Sequence, residues 1–223
     1  MNPVTFHSFA NIDELSNSLS RLWFDLIQSE PAGSSFALAG GSTPAPVYRA
    51  LNTLLHSTEL AQPVQLVATD ERWVADDNAQ SNEGLFRRVL QGSEKNWRLV
   101  SLKNASSSPE VAAAAIDERL AAHFPGAFSA VLLGMGSDGH IASLFPGAPT
   151  EHQALRCLAA LHPETQQSRI SLSLPRLIDS QRLWLVITGA EKRRVLEQAS
   201  GDTLPVSALL RAAGCTIDVF WCP

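Results

Sequence analysis

The sequence predicts an α/β protein built on a mainly parallel sheet with helices on both faces. Short apolar runs alternate along the chain with longer segments of helical periodicity. Strands that are apolar on both faces need cover on both sides, and helices placed between successive strands connect them in parallel. The chain has 223 residues, 45% of them hydrophobic, so it can bury a sizeable core. We therefore expect one α/β domain over residues 1–223.

Five strands and five helices account for most of this pattern. The predicted strands are 36–39, 64–69, 130–133, 183–187 and 216–221, and the predicted helices are 11–29, 44–56, 79–91, 109–123 and 190–199. We expect strand 216–221 to lie at the edge of the sheet, and 106–108 and 147–150 to be loops. Ligands of parallel sheets bind beyond the carboxyl ends of the strands, so the residues after each strand form the candidate site.

A glycine-rich turn, GGSTP at 40–44, follows the first of these strands. Its two glycines let the backbone approach a ligand closely. Ser42 or Thr43 can cap the next helix, and Pro44 suits its first turn. Two interpretations stay open here, a well-capped junction and a phosphate site made by free N–H groups at the helix start. The GxxxxGK[ST] pattern of a Walker loop is absent.

Three charged residues, Asp70, Glu71 and Arg72, come directly after the second strand. They would be costly if buried and unpaired, so we expect them at the rim of the sheet. A solvated, ion-paired loop is one interpretation. In the other, Asp70 orients sugar hydroxyls and Arg72 meets a developing oxyanion or a phosphate.

The turn GMGSDGH at 134–140 follows the third strand and presents Asp138 and His140 among glycines. Histidine titrates near neutrality and is the usual general base, although a structural histidine is the alternative. The glycines also satisfy GxGxxG. A dinucleotide site would need a long helix next and an acidic residue roughly 20 positions on. Pro146 interrupts the segment instead, and position 154 is alanine.

Two cations complete the set of candidate residues. Arg169 opens RISLSLP at 169–175, and Lys192 lies at the start of a predicted helix in TGAEK at 188–192. A cation at a helix N-terminus opposes the helix dipole. Lys192 is therefore either a solvated lysine or one retained to hold an anion there, with Arg169 as a second cation for the same anion.

Composition excludes several other classes of protein. The formal net charge is −5 and no Lys/Arg block occurs, so we expect no nucleic-acid surface. The three cysteines, Cys157, Cys215 and Cys222, form no disulfide framework. No apolar run reaches the roughly 18 residues of a membrane span, and no signal peptide is recognised, so we expect a cytoplasmic protein. Zinc-ligand spacings and the GxSxG nucleophile elbow are also absent.

Taken together, these segments resemble the 6-phosphogluconolactonase family over most of the chain. The resemblance rests on GGSTP at 40–44, DER at 70–72 with SN at 81–82, GMGSDGHIASLFPG at 134–147, RISLSLP at 169–175 and TGAEK at 188–192. It implies a Rossmann-like sheet shared with glucosamine-6-phosphate deaminases and ribose-5-phosphate isomerases. It also implies hydrolysis of 6-phospho-D-glucono-1,5-lactone to 6-phospho-D-gluconate in the pentose phosphate pathway, with no metal or organic cofactor.

The resemblance also implies roles for the candidate residues. His140 would take a proton from the attacking water and return one to the ring oxygen, with Asp138 positioning the imidazole. Arg72 and backbone N–H groups of the 134–139 turn would stabilise the oxyanion. The substrate-binding residues would be Gly40, Gly41, Ser42, Thr43, Asp70, Arg169 and Lys192. Among them Asp70 would hold sugar hydroxyls, and the phosphate would lie against Gly41, Ser42 and Thr43, with Arg169 and Lys192 neutralising it.

Two alternatives stay open. The deaminases carry the pattern DGHIAFNEP, whose Glu assists opening of the sugar ring, and they tend to have Tyr after Asp-Glu. Here Phe145 and Arg72 occupy the matching positions. A phenylalanine cannot relay a proton, and a lactone needs no hemiacetal opening, so the chemistry favours lactone hydrolysis. The second alternative is a non-catalytic sugar-phosphate sensor, although no helix-turn-helix extension or basic arm is left over. The oligomeric state stays open.

Overall fold

The computed structural model describes residues 4–30, 33–148, 155–199 and 203–223, in which ten strands and seven α-helices form. The strands are β1 (Val4–Ser8), β2 (Ser35–Leu38), β3 (Val64–Ala68), β4 (Asp70–Arg72), β5 (Trp97–Leu99), β6 (Ala130–Leu133), β7 (Cys157–Leu161), β8 (Ser168–Leu172), β9 (Leu183–Thr188) and β10 (Ile217–Cys222). The helices are α1 (Ile12–Ser29), α2 (Ala45–His56), α3 (Asn82–Val89), α4 (Pro109–His123), α5 (Leu174–Ile178), α6 (Ala190–Gln198) and α7 (Pro205–Ala212). No helix within these ranges is long and apolar enough to cross a bilayer.

Seven strands form one sheet in the order β1-β10-β9-β6-β2-β3-β5, and every neighbouring pair is parallel. This confirms the predicted fold class. Strands β2, β6 and β9 carry almost only buried residues, as strands covered on both faces must. Helix α1 supplies part of the cover through a buried stripe, from which Trp23 packs against Phe36 of β2 and Trp184 of β9.

The predicted elements are present, but two details differ. Helix α3 begins at 82 instead of 79. The prediction that 216–221 is an edge strand is wrong, because β10 lies between β9 and β1. The true edge is β1, which has no buried residue and therefore gives no apolar signal. The predicted loops at 106–108 and 147–148 are confirmed, whereas 149–150 lie outside the described residues.

A second, antiparallel sheet of three strands, β4-β8-β7, was not predicted. It corrects the expectation for residues 70–72, which form a strand instead of a solvated loop. Asp70 is only 6% exposed and Glu71 is fully buried. Burial is tolerated because both carboxylates find partners inside the protein, which is the condition that buried charges must meet.

Burial also controls the chemistry of Cys157 at the start of β7. Removal from water, reinforced by the negative charge of Asp117, raises the pKa of Cys157 to about 12. We therefore expect a thiolate fraction of about 10⁻⁴ at pH 8 and very slow alkylation of Cys157 in the native protein. Mass spectrometry of iodoacetamide-treated protein tests this, with the partly exposed Cys215 as an internal reference. Equal labelling rates for Cys157 in native and urea-unfolded protein would contradict it.

Candidate active site

One cleft lies at the carboxyl ends of the central strands, where the segments after β2, β3, β6 and β9 meet. Its lining residues are Ala39, Gly40, Gly41, Ser42, Thr43, Pro44, Thr69, Asp70, Arg72, Asn82, Gly134, Met135, Gly136, His140, Ala142, Arg169, Val186 and Lys192. The structure thus brings every candidate site residue to the cleft wall, except Asp138, which contacts His140 beside it. Three lining residues are cations and one is a carboxylate, so the cleft favours an anionic ligand.

The turn after β2 approaches the cleft through its two glycines. Gly41 has a φ of +99°, a left-handed conformation that favours glycine. A Cβ on Gly40 would collide with the Asn82 side chain, so only glycine lets the two segments come this close. The backbone of this turn therefore forms one wall of the cleft.

The expected capping by Ser42 or Thr43 is wrong. Helix α2 begins at Ala45 with Pro44 in the capping position, and no side chain makes a cap hydrogen bond. Capping therefore uses neither hydroxyl. Ser42 and Thr43 lie in the cleft wall instead, at the start of the helix.

Glu71 organises the segment that carries Arg72. Its buried carboxylate accepts hydrogen bonds from the backbone N–H groups of Arg72, Asn82 and Glu83 at 2.7, 2.8 and 2.7 Å. It also accepts one from the hydroxyl of Ser81 at 3.0 Å. Ser81 in turn caps α3. A buried carboxylate thus meets the unpaired N–H groups of a helix start, which stabilises both.

Asn82 holds Arg72 in place. Its Nδ2 donates to the backbone carbonyl of Asp70 at 2.7 Å, and its Oδ1 accepts from Nη1 of Arg72 at 2.7 Å. Arg72 also donates to the carbonyl of Gln80 at 2.9 Å. Asn82 was not among the predicted site residues, although the SN pair at 81–82 belongs to the segments that carry the family resemblance.

Arg169 lies directly opposite Arg72 in the β4–β8 ladder. Its side chain is 10% exposed, and its Nη1 lies 3.6 Å from Oδ2 of Asp70. Burial lowers the pKa of Arg169, the Asp70 carboxylate raises it, and the neighbouring Arg72 lowers it again, so the pKa lies below its ordinary value. The same Asp70 oxygen accepts a hydrogen bond from Ser143 at 2.6 Å. Asp70 thus partly balances a cation pair at the cleft wall.

Asp138 and His140 form a direct pair in the turn after β6. Oδ1 of Asp138 lies 2.6 Å from Nδ1 of His140 and accepts the His140 backbone N–H at 3.2 Å. Partial burial raises the pKa of Asp138, but the hydrogen bonds and charge of His140 together lower it further, so the net pKa lies below its ordinary value. An ionised carboxylate only accepts, so Nδ1 of His140 is the donor in this pair, and in the neutral imidazole Nε2 then keeps its lone pair. The pair therefore suits proton transfer.

Lys192 reaches the cleft from the helix that follows β9. It lies in the first turn of α6, which follows Gly189. Gly189 has a φ of +86°, so the chain turns there from β9 into the helix. The helix start and the lysine both favour an anion at this end of the cleft.

Comparisons with known proteins identify the family and the fold of this chain. The sequence profile of the family described as glucosamine-6-phosphate isomerases/6-phosphogluconolactonase matches residues 10–221. A 6-phosphogluconolactonase of Caulobacter vibrioides is 32% identical over 98% of this chain and 97% of its own length. The crystal structure of a 6-phosphogluconolactonase from Shewanella baltica has a TM-score of 0.90 at 30% identity and covers 99% of this chain and 98% of that chain. A monomeric glucosamine-6-phosphate deaminase shares the fold, with a TM-score of 0.77 at 20% identity over 97% of each chain.

The fold and the cleft define an α/β protein with a cation-lined cleft beside a histidine–carboxylate pair. The sequence match over nearly the whole chain makes the assignment specific. This chain belongs to the family of glucosamine-6-phosphate isomerases and 6-phosphogluconolactonases. The resemblance noted in the sequence is thereby confirmed.

Substitution of Gly136 tests the geometry of the Asp138–His140 pair. A Cβ at Gly136 would collide with both the His140 ring and the Asp138 carboxylate. We expect Gly136→Ala to separate the pair, so that His140 loses the Nδ1–H tautomer, which ¹⁵N spectra of the histidine rings report. Gly126→Ala is the matched control, because a Cβ there meets nothing within 4 Å. A Gly136→Ala protein that keeps the wild-type His140 tautomer would contradict this geometry.

Proposed function

We propose that this protein hydrolyses 6-phospho-D-glucono-1,5-lactone to 6-phospho-D-gluconate. The observation that carries the proposal is that the Asp138–His140 pair contacts the same cleft that Arg72, Arg169 and Lys192 line. A phosphorylated lactone needs a base and an oxyanion donor at its carbonyl group and cations at its phosphate. The relatives named 6-phosphogluconolactonase, similar over nearly the whole chain, support this substrate.

The pair supplies the proton transfers. Nε2 of His140 takes a proton from water as the water oxygen bonds to C1 of the lactone. The negative charge of Asp138, 2.6 Å from Nδ1, stabilises the imidazolium that forms. When the bond between C1 and the ring oxygen breaks, the imidazolium returns the proton to that oxygen, which becomes a hydroxyl. The carboxylic acid product then ionises in water.

Arg72 stabilises the charge that develops on the lactone oxygen. Its guanidinium is fixed by Asn82 and by the Gln80 carbonyl before any substrate arrives. A donor that is already oriented needs no reorganisation during the reaction. Backbone N–H groups of the 134–139 turn supply the remaining donors.

The phosphate lies at the end of the cleft formed by the turn after β2 and by α6. The backbone of Gly40 and Gly41 and the hydroxyls of Ser42 and Thr43 offer donors there, and Lys192 offers its charge. Arg169 extends this positive region towards Asp70, which holds sugar hydroxyls with its carboxylate. Binding of the distant phosphate fixes the lactone carbonyl beside His140.

Deaminase activity is the second candidate, because the family includes glucosamine-6-phosphate isomerases and the fold is shared with a deaminase. Ring opening of an aminosugar needs a further proton relay. Phe145 occupies the position at which the resemblance places that relay, and its ring centroid lies 5.2 Å from that of His140. An apolar ring cannot carry a proton, so the local chemistry favours the lactone.

His140→Ala tests the proposed base. The lactone is generated in situ from glucose 6-phosphate, and 6-phosphogluconate is detected with a coupled dehydrogenase after correction for spontaneous hydrolysis. We expect wild-type protein to accelerate hydrolysis and His140→Ala to lower kcat by about 10²- to 10⁴-fold. His123→Ala, at an exposed position on α4, is the matched control and should retain activity. Full activity of His140→Ala would exclude His140 as the base, and ammonia release from glucosamine 6-phosphate by the wild type would favour the deaminase.

Lys192→Ala tests the phosphate end of the cleft. Loss of one charge-assisted contact to the phosphate should raise KM by about 10- to 100-fold, with a smaller effect on kcat. The exposed Lys95, in the short 3₁₀-helix before β5 and not among the residues that line the cleft, supplies the control Lys95→Ala. If KM of Lys192→Ala equals that of the wild type, Lys192 does not bind the phosphate.

A further inference from the structure

The ring of Phe145 contacts two site residues that have different proposed roles, His140 and Arg169. Phe145 is 5% exposed, and its ring centroid lies 5.2 Å from that of His140, at an angle of 51° between the rings. The guanidinium carbon of Arg169 lies 5.8 Å from the same Phe145 centroid. The ring thus joins the imidazole that serves as base to a cation of the phosphate region.

The contact matters because the base is otherwise open to solvent. The side chain of His140 is 29% exposed and that of Asp138 is 47% exposed, so a surface ion pair alone leaves the imidazole room to rotate. A packed aromatic ring excludes alternative rotamers by contact. The same ring attracts a guanidinium through its π face.

His162 supports Phe145 from the turn between β7 and β8. The two rings meet nearly edge to face, with centroids 5.1 Å apart at 68°. His162 is itself held, because its Nδ1 accepts the backbone N–H groups of Glu164 and Thr165 at 3.3 and 3.2 Å. Phe145 is therefore fixed by the second sheet and not only by its own loop.

We propose that Phe145 is a positioning residue that sets His140 and Arg169 at a fixed separation, with His162 as its support. The proposal rests on the proposed lactonase function and adds how the site is held rigid. A residue that contacts only the base would affect kcat alone. Phe145 contacts both His140 and Arg169, so loss of its ring should change kcat and KM together.

Phe145→Leu tests the proposal by steady-state kinetics. We expect kcat to fall about tenfold or more and KM to rise about fivefold, since small misplacements of reacting groups have large effects. Phe145→Tyr keeps the ring and should restore both constants to within about threefold of wild type. Phe128→Leu is the matched control, because Phe128 is also buried and stacks on an arginine, Arg176 at 3.8 Å, away from the cleft.

A spectroscopic readout separates this proposal from the lactonase assignment. Ring-proton shifts of His140 and His162 should both move in Phe145→Leu, as the ring current of Phe145 is lost, and should stay unchanged in Phe128→Leu. An inactive wild-type protein would overturn the lactonase function, and the shifts would then test the packing alone. Unchanged His140 shifts, or a Phe145→Leu variant with wild-type kcat and KM, would overturn the positioning role.

Discussion

The site depends on two arginines that the β4–β8 ladder places opposite each other. Arg72 and Arg169 face one another in register, and burial together with the positive charge of Arg72 lowers the pKa of Arg169. Like charges brought together away from water are unfavourable unless opposite charges are near. Asp70, close to Arg169, and the buried Glu71 supply those charges. On the proposed function, the phosphate of the ligand would add further anionic charge beside these cations.

The main parallel sheet then determines where the remaining groups lie. Because the carboxyl ends of β2, β6 and β9 meet at one edge, the turn at 40–44, the Asp138–His140 pair and Lys192 converge on the same cleft. Most of them come from turns beside rigid strands, which keeps their geometry fixed. A lactone already hydrolyses in water unaided, so under the proposed function one base, oriented donors and remote phosphate binding would supply enough barrier reduction.

The parallel sheet was predictable from the sequence because its buried strands are continuous apolar runs. Strand β1 could not be predicted in the same way, since most of its residues are exposed. Because β1 was missing from the predicted sheet, β10 was wrongly placed at the edge. The second sheet was missed because β4 consists of three charged residues, whose burial depends on partners far along the chain. Its pairing with β8 cannot be read from local periodicity.

In the candidate site, too, contacts between residues close in sequence could be predicted, whereas contacts between distant segments could not. The Asp138–His140 contact spans two residues within one glycine turn, so the sequence could suggest it. The hydrogen bonds of Asn82 to Arg72, and of Glu71 to the start of α3, join segments ten or more residues apart and needed the structure. The prediction that Ser42 or Thr43 caps α2 was wrong because Pro44 takes the capping position. The two hydroxyl-bearing residues lie in the cleft wall instead.

The central claim is that one cleft holds the phosphate at its cationic end and the reacting carbon beside His140. A crystal structure with bound 6-phospho-D-gluconate tests it most directly. We expect the phosphate within hydrogen-bond distance of the 41–43 turn, Lys192 and Arg169, and the C1 carboxylate beside His140 and Arg72. Product bound in the reverse orientation, or outside this cleft, would contradict the account.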